Sequence, residues 1–209
     1  MIQERVPSQH LILVTGAARS GKSEWAETQA RNLDKPIVYV ATALENPDDL
    51  EWQTRLEKHR RRRPPEWQTL SVPYALATTI DQAIPPQCLL IDSLGTWVAN
   101  GLEADEAAWQ ETTTNLLNSV QQASVDLIFV AEETGWGVVP AYPLGRQFRD
   151  RLGHLTRQIG TLADTVYLVV GGHALNLSVL GEPLKHSMIE LSYLKPAKHG
   201  KAKNSHNTG

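Results

Sequence analysis

The run Gly16-Ala17-Ala18-Arg19-Ser20-Gly21-Lys22-Ser23 fits the pattern G-x-x-x-x-G-K-[ST], and no other stretch of the 209-residue chain constrains its fold so tightly. Before it lies Leu11-Ile12-Leu13-Val14-Thr15, an apolar run that reads as a buried strand. After it, Glu24-Trp25-Ala26-Glu27-Thr28-Gln29-Ala30 reads as the first turns of a helix. Strand, glycine-rich turn and helix in that order are the context in which such a loop cradles phosphates. Gly16 and Gly21 let backbone N–H groups turn inward, the helix N-terminus adds partial positive charge, and Lys22 adds a full one. Ser23 would present its hydroxyl to Mg²⁺. The loop therefore predicts a nucleoside triphosphate, or something very like one, as ligand.

Composition narrows what surrounds the loop. With 41% hydrophobic residues the chain can bury the core of a single domain. A formal charge of −3 argues against a general nucleic-acid binder, which is usually basic. Cys88 is the only cysteine, which excludes an internal disulfide and a thiolate metal cluster. Met1 to Gln9 lack the apolar region of a secretory signal, and no apolar run approaches the roughly 18 residues of a membrane span. The expectation is a soluble cytoplasmic protein.

Five short apolar runs recur at intervals suited to intervening helices: Leu11–Thr15, Ile37–Ala41, Cys88–Ile91, Leu127–Ala131 and Val166–Val170. Each is nearly continuous, as parallel strands covered on both faces are. Helical candidates lie between them at Ser23–Leu33, Asp48–Arg62, Tyr74–Ile84, Asp105–Gln122 and Gln147–Leu162. This alternation predicts an α/β, P-loop-like fold with a doubly wound, mostly parallel sheet and flanking helices, its ligands at the carboxyl ends of the strands. After Val170 a mixed stretch through Leu194 predicts one or two extra strands. From Lys195 the chain is rich in Lys, Gly, Asn and Ser and reads as a disordered tail. The expected organisation is an N-terminal extension over 1–9, one catalytic domain over 10–194 and a tail over 195–209.

Asp92 ends the apolar run Leu89-Leu90-Ile91 and resembles a Walker B carboxylate, able to hold Mg²⁺ directly or through water. A strand-ending Asp also commonly caps the next turn. The helix over Asp48–Arg62 ends in Lys58-His59-Arg60-Arg61-Arg62-Arg63-Pro64. Trp52, Leu56 and His59 share one helical face, so His59 reads either as an edge-of-core histidine or as a functional group. The arginines fit a solvated basic helix end, and they equally suit gripping phosphates.

Further motifs carry a family resemblance. Leu13 to Ser23 resembles the start of the bifunctional adenosylcobinamide kinase / adenosylcobinamide-phosphate guanylyltransferase family of cobalamin biosynthesis. Tyr39-Val40-Ala41-Thr42-Ala43 resembles its second strand and loop, and His59-Arg60, Arg63-Pro64, Trp67 and Thr69 its "HR..RP..W.T" segment. Asp92, Thr96, Trp97, Val98 and Asn100 follow in its third segment, then Glu133, Gly135, Gly137, Val138, Val139 and Pro140 in a glycine-rich loop. Leu144-Gly145-Arg146, Phe148-Arg149-Asp150 and Gly153 resemble the helix after that loop. The likeness runs in order from about Leu11 to Gly172.

The resemblance implies two reactions. In the first, the phosphate loop positions the γ-phosphate of ATP or GTP for transfer to the cobinamide hydroxyl, with charge neutralised by Lys22, Mg²⁺ and basic side chains. In the second, the family's guanylylated histidine falls on His59. A neutral imidazole nitrogen attacks the α-phosphorus of GTP and releases pyrophosphate, and adenosylcobinamide phosphate then displaces GMP to give adenosylcobinamide-GDP. The implied catalytic residues are His59 and Lys22. The implied nucleotide-binding residues are Gly16, Ala17, Ala18, Arg19, Ser20, Gly21, Lys22, Ser23, Thr42, Ala43, Arg60, Arg61, Arg62, Arg63 and Asp92, and Ser23 and Asp92 are the implied metal ligands. A small homo-oligomer is implied as well. The chain departs from the family in carrying Ser71 and Val72 where a nucleotide-contacting glutamate usually follows Trp67 and Thr69, and Thr156 in place of an asparagine. Two rivals remain: a P-loop small-molecule kinase without guanylyl transfer, and a nucleotide-gated protein that grips nucleic acid with Arg60–Arg63.

Overall fold

The computed structural model of the protein describes residues 9–44, 46 and 48–184, and of Trp52, Arg55, Lys58 and His59 the backbone alone. The extension expected over 1–9, save Gln9, and the tail expected over 195–209 lie outside the described residues. In chain order the elements are β1 (Leu11–Gly16), α1 (Lys22–Asn32), β2 (Ile37–Ala41), α2 (Leu50–Arg62), β3 (Gln68–Ser71), α3 (Leu76–Asp81) and β4 (Cys88–Asp92). They continue as α4 (Leu94–Asn100), α5 (Glu106–Gln122), β5 (Asp126–Glu132), α6 (Pro143–Leu162), β6 (Thr165–Val170), β7 (His173–Asn176) and α7 (Leu177–Leu180).

The strands form one sheet in the order β3-β2-β4-β5-β1-β6-β7. All neighbours pair in parallel except β6 and β7, which meet as antiparallel partners across Gly171-Gly172. This is the expected mostly parallel, doubly wound sheet. All six residues of β1 are buried, because strands and helices cover both of its faces. Side chains alternate across a strand, so its residues feed two cores. Leu11 and Leu13 join Trp97, Trp109, Leu116, Leu152 and Ile159 on the side of α4, α5 and α6. Ile12 and Val14 join Ala26, Ala30, Ile128 and Val130 on the side of α1.

The structure differs from expectation at several places. The helix expected over Tyr74–Ile84 is confined to Leu76–Asp81. The residues before it are pinned as a connector: the Pro73 carbonyl accepts from Asn100 Nδ2 at 2.9 Å, and the Tyr74 carbonyl from Trp97 Nε1 at 3.0 Å. An unexpected edge strand, β3, continues the sheet beside β2. An unexpected short helix, α4, begins at Ser93, which forms a reciprocal cap with Thr96.

Candidate active site

The loop between β1 and α1 has the geometry its glycines permit. A Cβ on Gly16 would lie 2.4 Å from the Val169 carbonyl oxygen on β6 and 2.7 Å from Ser20 Oγ, so only glycine passes there. Gly21 adopts φ +92° and Arg19 φ 61°, both left-handed, which turn the chain before α1 begins. Lys22 is 6% exposed, and its Nζ reaches across the loop to the Ala17 carbonyl at 3.4 Å. Ser20 Oγ is buried and has no hydrogen-bond partner within the protein. A buried hydroxyl of this kind, within a glycine-rich turn ahead of a helix, fits an anion such as a phosphate.

Asp92 lies at the carboxyl end of β4, separated from β1 by β5 and in register, through Val130, with Val14, two residues before the loop. Two strand spacings put its strand about 10 Å from that of the loop. Its Oδ2 accepts a 2.7 Å hydrogen bond from the Tyr39 hydroxyl, and the Arg63 guanidinium stacks 3.4 Å above the Tyr39 ring. Burial pushes the Tyr39 hydroxyl well above its ordinary pKa and the Asp92 charge pushes it further, against the opposing effect of Arg63. Tyr39 therefore remains a donor that fixes the Asp92 carboxylate. No group of three His, Cys, Asp or Glu side chains that could cage a metal exists among the described residues. The arrangement fits Mg²⁺ all the same, since that ion usually takes one or two protein oxygens and completes its shell with phosphates and water.

The arginines that follow His59 part company. Arg61 pairs with Glu57 one turn back at 2.9 Å, on the exposed side of α2. Arg62 turns to α1: it donates to Glu27 at 2.7 to 3.1 Å through Nη2 and Nε, and to Glu24 at 2.9 Å through Nη1. Burial opposes the charge of Arg62, but the Glu27 hydrogen bonds and the Glu27 and Glu24 charges outweigh it, so its pKa lies above the ordinary value. Glu24 and Glu27 belong to the first turns of α1, directly after Lys22 and Ser23. The last turn of α2, whose backbone includes His59, is thereby latched beside the exit of the phosphate loop. Arg60 is exposed.

Thr42, expected to contact nucleotide, is fully buried. Its hydroxyl donates to the Ser93 carbonyl at 2.7 Å, accepts from the Ser93 N–H at 2.8 Å and touches the Thr96 hydroxyl. Its side chain ties the end of β2 to the start of α4, which leaves the half-buried Ala43 as the residue of that pair nearer the surface. Glu132, at the end of β5, accepts from Ser93 Oγ at 2.7 Å and from the Gly95 N–H at 2.9 Å. That role was not visible in the sequence, where Ser93 and Glu132 stand 39 positions apart. Glu133 accepts a 2.9 Å hydrogen bond from Thr15 Oγ1, and its N–H donates to the Gly16 carbonyl at 2.9 Å. A carboxylate is thus held at the very start of the phosphate loop. Ser71 is exposed at the end of β3, in register with Ala41, and so lies at this same edge of the sheet.

Residues 12–177 match the family model described as cobinamide kinase / cobinamide phosphate guanyltransferase. The chain is 38% identical over 174 residues to the bifunctional adenosylcobalamin biosynthesis protein CobP of Pseudomonas aeruginosa, covering 82% of this chain and 98% of that relative. It is 33% identical over 177 residues to the bifunctional adenosylcobalamin biosynthesis protein CobU of Escherichia coli, covering 78% and 96%. Among solved structures, a Pyrococcus horikoshii OT3 protein, PH0250, superposes with a TM-score of 0.50 at 6% identity, over 81% of this chain and 86% of that one. That last likeness concerns the fold alone.

Proposed function

Because the chain belongs to the cobinamide kinase / cobinamide phosphate guanyltransferase family, we propose that it phosphorylates adenosylcobinamide and then transfers GMP from GTP to the product through a guanylylated His59. The observation that carries this reading is the latch from Arg62 to Glu24 and Glu27, which brings the His59 turn to the loop that holds the triphosphate. In the kinase step Gly16 to Ser23 hold the phosphates of ATP or GTP, and Lys22 neutralises charge as the γ-phosphoryl group leaves. In the second step an imidazole nitrogen of His59 bonds to the α-phosphorus of GTP and pyrophosphate departs. The acceptor phosphate then bonds to that phosphorus, and the P–N bond returns its electron pair to the ring. Arg60 and Arg63 would meet the charge on the triphosphate. Ser23 and Asp92 would hold Mg²⁺, which screens phosphate charge when bound. The reaction belongs to the cytoplasm, where the triphosphates are, and the resemblance points to a small homo-oligomer.

The test is intact mass and peptide mapping after incubation with GTP and Mg²⁺ in the absence of corrinoid. An acid-labile GMP adduct on His59, lost in His59→Asn, is the expected result. Folded protein that binds GTP without forming the adduct would leave only the kinase activity, and Ser71 would become the first residue to restore to glutamate.

A further inference from the structure

A cleft of about 220 Å³ opens at the carboxyl end of β5, between the segment Glu132, Glu133, Thr134, Gly135 and the face of α6 that carries Arg149, Gly153, Thr156 and Arg157. The four α6 residues fall at i, i+4, i+7 and i+8, so one stripe of the helix forms the wall. Four features distinguish the cleft from an incidental gap. Of its two carboxylates, Glu132 is taken up by Ser93 and Gly95, whereas Glu133 is held by Thr15 Oγ1 and by the backbone of Gly16, which anchors it to the mouth of the phosphate loop. Its opposite wall supplies two guanidinium groups, one of which, Arg149, also pairs outward with the exposed Asp150. The helix is bare at Gly153, where an added Cβ would meet nothing within 4 Å. In addition, Thr156 Oγ1 is buried without a hydrogen-bond partner in the protein. Whole small-molecule ligands occupy roughly 300 to 1,000 Å³, so this cleft suits a short polar arm, not a macrocycle.

Resting on the kinase and guanylyltransferase reading above, we propose that this cleft receives the arm of the acceptor in both reactions. In phosphoryl transfer the arm's hydroxyl lies against Glu133. The hydroxyl oxygen bonds to the γ-phosphorus, the bond from that phosphorus to the β,γ-bridging oxygen breaks, the nucleoside diphosphate leaves, and the hydroxyl proton passes to the Glu133 carboxylate. The product is a phosphate monoester on the same arm. Arg149 and Arg157 then hold that dianion, with bidentate donors suited to phosphate, while one of its oxygens attacks the guanylylated histidine. A cleft with a carboxylate at the loop and guanidinium groups on the far wall matches an arm that enters as a neutral hydroxyl and becomes an anionic phosphate.

Gly153→Leu and Glu133→Gln in the full-length protein test this. Leucine is a better helix former than glycine and meets no protein atom at its Cβ, so the first variant fills the cleft while favouring the fold. We expect its KM for adenosylcobinamide to rise at least tenfold, with GTP binding and GMP adduct formation at the wild-type level. We expect Glu133→Gln to lower kinase kcat about 100-fold or more, the usual size of a general-base contribution, with KM for the triphosphate unchanged. Arg157→Met should slow GMP transfer from isolated adduct to acceptor phosphate while the adduct forms normally. An unchanged acceptor KM in Gly153→Leu, or kinase kcat within threefold of wild type in Glu133→Gln, would overturn the proposal. Adduct formation by the wild-type protein, measured without acceptor, tests the functional reading separately.

Discussion

The latch between α2 and α1 is the contact on which the proposed chemistry most depends, and its strength can be worked out. Glu27 has a side chain only 3% exposed, whereas that of Arg62 is 30% exposed. Removing one partner of a fully buried ion pair costs about 3–5 kcal/mol, mostly because the other charge is left without compensation. Partial exposure of Arg62 lets water reach part of the site, and Arg31, 3.9 Å from Glu27, offers some replacement charge. The exposed Glu24 adds at most about 1 kcal/mol. We therefore expect Arg62→Met to cost about 2–3 kcal/mol, which lowers the urea midpoint by about 1 M at a slope near 2.5 kcal/mol per molar. Glu27→Gln removes the stranded charge, so the double variant should recover at least about 1 kcal/mol of the summed single losses. GMP adduct formation in Arg62→Met should also slow under conditions where the protein is still fully folded, because the His59 turn is no longer held at the loop. A loss below about 0.5 kcal/mol, or strict additivity in the cycle, would refute the latch.

Three other perturbations follow from single contacts. Lys22→Ala removes the only cation the phosphate loop itself buries, and both activities should drop by about 100-fold or more in steady-state assays; undiminished turnover would sink the loop assignment. Glu132→Gln leaves one of its two acceptor bonds to Ser93 and Gly95 poorly made, and should cost about 1–2 kcal/mol, read as a fall of about 5 °C in Tm. Cys88 is fully buried, and burial, reinforced by the Asp126 charge, pushes its thiol from an ordinary value near 9 up to about 12. The folded protein thus keeps a proton that the unfolded chain gives up above pH 9. The stabilisation is complete below that pH and is lost as pH rises towards 12, at up to about 1.4 kcal/mol per unit. Urea midpoints between pH 8 and 10 should fall less steeply in Cys88→Ala than in the parent, and parallel slopes would contradict this.

How much of the molecule could be read from sequence depends on the range over which each signal acts. β1, its loop and α1 are encoded within two dozen residues: a continuous apolar run, glycines where Cβ atoms are excluded, and helix formers. The strands β2, β4 and β5 carry the same continuous signature, because both of their faces are covered, and β6 carries it although most of its residues are only half-buried. β3 does not, since Gln68-Thr69-Leu70-Ser71 lies at an edge and is mostly exposed. α6 begins four residues before the expected Gln147, at Pro143, because proline at the first helical position starts a helix although it reads as a breaker. Side-chain ties were illegible for a different reason. The Arg62 and Glu27 pair, the Thr42 hydroxyl under Ser93 and the Glu132 bridge to α4 each join residues 35 to 51 positions apart, and no local pattern signals them. Arg62 in particular looked like one of four equivalent phosphate ligands, and only the fold separates it from Arg60 and Arg63.

The sheet order would let a single phosphate loop serve both of the proposed reactions. β5 stands next to β1 and delivers Glu133 directly to the loop, while β4 and β2 lie further along the edge and deliver Asp92 and the chain that leads to α2. α2 is latched to α1 on one face of the sheet, and α6, with the cleft, covers the other. A triphosphate in the loop would then have the His59 turn on one side and the acceptor cleft on the opposite side. Filling the cleft and loosening the latch should therefore have separable effects: Gly153→Leu impairs both acceptor-dependent steps and spares the adduct, whereas Arg62→Met slows the adduct and leaves the acceptor KM of the kinase step unchanged. Equal loss of both properties in either variant would mean that the two sides are not independent and that α2, not the strand edge, organises the acceptor as well.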